Sequence, residues 1–180
     1  MGIANRADTG LDRVLVASGA FPAHADGLAL FGQFVGSWDV ETTFFHPDGA
    51  IRVERRGEWH FGWVLQGRAI QDVLFSPPLG EIRAGAPAVE YGTTVRLYDE
   101  STDTWQVTWH APVARKTVSL VARAVGGEIV LDGRQRAGRP CRWVFSDITA
   151  GAFVWRGYES SDEGDTWFLD ERMLVRRRAG

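Results

Sequence analysis

Five side chains in this sequence have the type and setting to move a proton: Asp72, His60, His110, Tyr158 and Glu171. His60 and His110 each follow a tryptophan, in Trp59-His60 and Trp109-His110. Successive side chains of a strand point to opposite faces, so each histidine faces away from its indole. With the indoles inward both histidines are surface residues, the register that alternation favours. With the register reversed they line an interior and supply a general base or a haem ligand. Asp72 closes the run Gln66-Gly67-Arg68-Ala69-Ile70-Gln71-Asp72, read as mid-strand, where small neighbours leave room beside the backbone. Arg68 and Asp72 then share a face, either in a cross-strand ionic network with residues such as Glu58 or Arg96, or with Asp72 inside as an acid or base. Tyr158 shares a face with Arg156. Glu171 alternates with Trp167, Leu169 and Met173, as an inward carboxylate would, and a buried carboxylate needs a partner such as Arg55.

Other chemistries lack their residues. No His/Cys/Asp/Glu grouping has metal-ligand spacing, so no metal is expected. Ser37 and Ser146 lack the Gly-x-Ser-x-Gly elbow, and no glycine-rich loop leads into a long helix to cradle phosphate. The single cysteine, Cys141, alternates with Trp143 and Phe145 and reads as a small core residue in a reducing, cytoplasmic setting. The net charge of -3 gives no footprint for nucleic acid, and Arg176-Arg177-Arg178 reads as a solvated end. No apolar run is long enough to span a bilayer, and Asp8 and Asp12 interrupt any signal-like core, so no membrane partner is expected.

The elements that must position these groups are mostly strands. Residues 1–24 read as a tail or short helix, and residues 25–180 as one β-barrel domain. Leu28, Leu30, Phe31, Phe34 and Val35 fall at helical spacing over residues 26–35, with Asp26 as N-cap. After Gly36 the period becomes two. Trp38, Val40, Thr42 and Phe44 alternate up to the turn His46-Pro47-Asp48-Gly49. A second run covers 51–61, and a third covers 63–75 with Gly62 as the bend between them. Residues 76–88, with Pro77-Pro78, form the longest loop and a candidate lid. Further runs at 91–98, 104–111, 117–125, 128–131, 142–147, 152–160 and 166–176 bring the total to about ten strands without crossover helices. That pattern predicts an all-β fold, a closed antiparallel up-and-down barrel of about 8–10 strands with a short N-terminal helix, wide enough for one small ligand. The 8 Trp and 10 Phe suit such an interior, which they can line or plug.

Several stretches also carry a family resemblance. Val35-Gly36-Ser37-Trp38-Asp39-Val40, the segment from Trp59 through Gly62-Trp63-Val64-Leu65-Gln66-Gly67 to Val73, Tyr91-Gly92-Thr93-Thr94-Val95-Arg96-Leu97-Tyr98-Asp99, Arg142-Trp143-Val144-Phe145-Ser146-Asp147-Ile148 and Ser160 to Trp167 resemble an uncharacterised bacterial domain family of lipocalin-like, or calycin, type. The resemblance implies a calycin-like barrel without an assigned activity. Gly36-x-Trp38 is similar to the first-strand signature of lipocalins, where the tryptophan closes one barrel end against a basic residue of the last strand, here Arg172 or Arg176. The chain departs from the haem-binding nitrobindin type in lacking the glycine pattern that would continue after Trp38. No cofactor is therefore expected, and haem stays a sub-case tied to His60 or His110.

These observations lead to a monomer or homodimer that holds a small apolar or aromatic molecule inside the barrel. Trp59, Trp63, Trp105, Trp109, Trp143 and Trp155 would form its walls, with Arg68 and Arg156 as polar anchors. The alternative is a cofactor-free cyclase, isomerase or hydratase acting on an apolar substrate in the same interior.

Overall fold

The period-two runs become ten strands that pair strictly with their sequence neighbours. The computed structural model describes residues 10–135 and 138–178. A two-residue strand β1 (Val16–Ala17) precedes β2 (Gly36–Phe45), β3 (Ile51–Val64), β4 (Ala69–Ser76), β5 (Glu90–Asp99) and β6 (Thr104–Ala111). There follow β7 (Lys116–Val125), β8 (Glu128–Arg134), β9 (Pro140–Ser146), β10 (Ala152–Glu159) and β11 (Phe168–Arg177). Every neighbouring pair from β2 to β11 is antiparallel, and β11 returns to pair with β2, Val175 opposite Val40, which closes the barrel. Closure leaves no free edge among these ten strands. The short β1 adds to the end of β3 through Val16 and Val64. Helices α1 (Leu11–Leu15), α2 (Ala25–Gly32) and α3 (Leu79–Arg83), with 3-10 turns at Pro22–His24 and Leu65–Gly67, complete the described elements. No helix among the described residues is long and apolar enough to cross a membrane.

Two local expectations are corrected. Gly62 is not a bend: β3 runs through it to Val64, and the reversal falls at Leu65-Gln66-Gly67, three successive residues with φ of 53°, 59° and 78°. A side chain on Gly67 would meet the carbonyl of Gly19 at 2.2 Å, so both the left-handed backbone and the close approach require glycine. Gln66 and Gly67 are therefore turn residues, and Arg68 leads into β4 instead of lying mid-strand beside Asp72. The loop read as a lid folds against the outer wall, where the Leu79 N–H donates to Glu58 Oε1 at 3.1 Å.

One end of the barrel is plugged. Leu28 and Phe31 of α2, and Phe34 just beyond it, are fully buried in the core, with Phe31 against Phe145 and Phe34 against Trp38, Phe145 and Phe153. Burying these three side chains contributes on the order of 5–9 kcal/mol. Trp38 Nε1 donates to the Phe34 carbonyl at 2.7 Å. The basic residue over Trp38 is Arg177, not Arg172 or Arg176. Its guanidinium lies 4.0 Å from the ring centroid and donates to the carbonyls of Val35 and Gln33, each at 2.9 Å, and of Ala150 at 2.7 Å. β11 continues one residue past the expected end, and register sets Arg177 opposite Trp38, while Arg176 pairs outside with Glu41.

Candidate functional site

At the other end the interior stays open. The enclosed part of this space is a narrow slot of only about 60 Å³, which widens towards solvent to about 620 Å³ at the mouth. Four indoles wall it: Trp59 from β3, Trp109 from β6, Trp143 from β9 and Trp155 from β10. Leu74 and Met173 fill in between them. Glycines make room for two of the indoles. A Cβ on Gly92 would stand 2.4 Å from Trp109, and one on Gly157 would stand 2.8 Å from Trp155, so these rings lie back against bare backbone.

Polar groups sit at the floor and at the mouth. At the floor Arg96 and Asp72, each 1% exposed, form an ion pair between strands β5 and β4. The Arg96 guanidinium also lies 5.1 Å from the Phe31 ring and 5.2 Å from the Phe61 ring. Burial pulls Arg96 down to about 9, which leaves it charged at neutral pH, and the adjacent Asp72 carboxylate acts against that lowering by favouring the charged form. Among the described residues Trp59 Nε1, Arg96 Nε, Asp72 Oδ1 and Glu171 Oε1 are buried without a hydrogen-bond partner; Arg172 Nε shares that state, its guanidinium lying 5.6 Å from the Phe45 ring.

The mouth is built by an irregularity. Gly157 pairs with Glu171, but Tyr158 pairs with Leu169, so Asp170 is an extra residue and both Asp170 and Glu171 reach the opening. Glu90, Glu159 and Lys116 complete the rim with Tyr158 and Gln135. Burial pushes the Glu171 carboxyl well above the usual range, and the Glu90 and Asp170 carboxylates add to it against Lys116 and Arg52. Glu171 keeps some surface, but that surface faces the barrel mouth, and protein surrounds the carboxyl itself. Glu90 is raised by burial, opposed by Lys116 and Arg55. Asp170 is raised by burial and by Glu159, with Arg52 at 3.8 Å opposing. Arg55 thus faces Glu90, and the cations bearing on Glu171 are Lys116 and Arg52.

The cavity brings together Trp59, Trp109, Trp143, Trp155, Tyr158 and Glu171 of the expected set, with Asp72 beneath them. The rest lie elsewhere. His60 is on the outer wall, its Nδ1 2.9 Å from Ser37 Oγ and its Nε2 3.0 Å from Glu58 Oε2, stacked 5.5 Å from the Phe75 ring. His110 is exposed beside Thr117. With the indoles inward, neither histidine reaches the interior as a base or haem ligand. Trp105 belongs to the plug, edge-on to Phe31 at 5.0 Å, and Trp63 packs over Gly32 of α2. Arg68 covers the Phe21 ring outside at 3.7 Å, and Arg156 pairs on the surface with Asp147. Asp72 is tied to Arg96 and so is not a free acid or base.

Sequence reasoning missed Glu90 and Lys116 as rim residues, although both carry a readable signal. Glu90 has the parity of Gly92, Thr94 and Arg96, and Lys116 that of Val118 and Leu120. Asp170 had none, because a bulge leaves no mark in the alternation.

No family model and no curated protein matches the chain. The barrel is calycin-like. The S-type phycobiliprotein lyase CPES of Guillardia theta aligns over 84% of this chain and 92% of its own, with TM-score 0.60 and 10% identity, a likeness of fold. The DFHBI-bound protein EF1p2_mFAP2b covers 81% of this chain and 94% of its own at 12% identity, and its TM-score of 0.35 is too low to argue from.

Proposed function

We propose that this protein binds one small apolar or aromatic molecule in the open half of its barrel. The division of the interior carries this reading: α2, Trp38 and Arg177 seal one end, while four indoles around a slot leave the other end accessible. An apolar pocket with a few convergent polar groups is the usual form of a small-molecule site. The shared barrel of the phycobiliprotein lyase does not transfer its activity, since function resides in the site and not the fold. No cofactor is invoked, and the reading is of a soluble carrier, monomeric or dimeric. The test is a titration of intrinsic tryptophan fluorescence against haem, fatty acids, flavonoids and polyketides. Saturable quenching by at least one class is expected. Unchanged emission throughout, with an interior found filled by side chains, would overturn it.

One observation favours a second reading, a cofactor-free cyclase, isomerase or hydratase. Glu171 is a buried carboxyl at the mouth with Tyr158, and its burial shifts it upward, the direction that favours a general acid. Incubation of protein and bound ligand in D₂O separates the two readings. A carrier returns the ligand at its original mass, whereas proton transfer through Glu171 enriches it in deuterium and Glu171→Gln abolishes the gain.

A further inference from the structure

We infer that the ligand is a neutral aromatic carbonyl compound that enters oxygen first. This rests on the cavity-binding reading and adds the chemistry of the occupant. The walls favour an aromatic partner: Trp143 and Trp155 pack edge to face with centroids 5.4 Å apart and Trp59 packs on Phe61 at 4.8 Å, so the space beside them is bordered by ring edges and faces.

The floor selects the leading atom. Trp59 is 4% exposed and Arg96 1% exposed, both line the cavity, and Trp59 Nε1 and Arg96 Nε have no partner. An indole N–H and a guanidinium N–H only donate, so the group they can satisfy is an acceptor. Buried donors left unmade are costly, which makes an acceptor on the ligand worth more here than at the surface.

The rim selects charge. Glu90, Glu159, Asp170 and Glu171 stand at the mouth with Lys116. A ligand carboxylate would have to pass these acids. A ligand ammonium would compete with Lys116, Arg52 and Arg55 at the rim, or else meet Arg96 at the floor. A carbonyl oxygen on a neutral ring meets neither opposition.

The experiment ranks four naphthalene probes by tryptophan quenching at pH 7: naphthalene, 2-acetonaphthone, 2-naphthoate and 2-naphthylmethylammonium. The ketone is expected to bind about tenfold tighter than naphthalene and tighter than either ion. Trp59→Phe keeps the ring but removes the donor, and should erase the ketone's advantage while naphthalene stays within about threefold. A ketone no tighter than naphthalene, an ion that binds tightest, or an advantage that survives Trp59→Phe overturns the inference and leaves the cavity reading standing. Failure of all four probes to bind overturns the inference, and the cavity reading falls with it only if haem, fatty acids, flavonoids and polyketides also leave the emission unchanged. Should Trp59→Phe not fold, the ranking in the unmodified protein decides alone.

Discussion

Asp72→Leu should be among the most destabilising single changes in the barrel floor. Asp72 and Arg96 are each 1% exposed, and Arg96 has no other carboxylate partner among the described residues. Removing the acid leaves a guanidinium buried between the Phe31 and Phe61 rings with nothing to neutralise it. Breaking a buried pair in this way costs about 3–5 kcal/mol. For a chain of this length each kcal/mol lowers the midpoint by about 2–4 °C, so Tm should fall by roughly 6–20 °C. The assay is thermal and urea unfolding followed by far-ultraviolet circular dichroism. The double variant Asp72→Leu/Arg96→Met removes both charges at similar volume and should recover most of the loss, because a buried pair contributes little beyond its apolar replacement. A single variant within about 1 kcal/mol of the unmodified protein, or a double variant no more stable than the single, would refute the buried pair.

Three further outcomes are expected. Gly157→Ala places a methyl 2.8 Å from the Trp155 indole and should drive that ring into the slot, weakening ligand binding about tenfold or more by fluorescence titration. Arg177→Ala removes donors to three carbonyls and the cover of Trp38, for a loss of about 2–4 kcal/mol in urea unfolding, whereas Arg176→Ala, on the outer surface, should be near neutral. The third outcome concerns pH. Because Glu171 is raised, the folded state binds more protons than the unfolded state between the ordinary carboxyl value and the raised one, so its contribution to stability declines as pH rises through that window. Glu171→Gln should flatten this part of the profile in thermal scans. Glu58 acts oppositely. Burial raises its carboxyl, but hydrogen bonds from His60 and the Leu79 N–H, with Arg178, outweigh that and lower it, so its contribution is lost as pH falls through the depressed value.

The barrel was legible because alternation is a strong signal where one face is buried. Trp59 and Trp109 point inward and His60 and His110 outward, as the parity of their neighbours requires. The helix at Leu28, Phe31 and Phe34 was visible from its spacing, but its use as a plug was not, since spacing reveals an apolar stripe and not its partner. The reversal at Leu65-Gln66-Gly67 was hidden because apolar residues on both sides kept the period of a strand. The same ambiguity assigned Trp63 and Trp105 to the cavity: parity says inward, while height along the barrel decides between plug and pocket. Arg96 was recognised only as a possible partner for Asp72, because a buried arginine in a strand looks like a surface one until the pairing is known.

The central claim, a ligand held between Trp59, Trp109, Trp143 and Trp155, is tested most directly by the eight indole N–H resonances in a ¹⁵N-labelled sample. Addition of 2-acetonaphthone should shift the resonances of those four tryptophans, Trp59 most, and leave Trp38 and Trp105 of the plug in place. Unmoved resonances for the four, or shifts confined to Trp38, Trp105 or the surface Trp167, would contradict it.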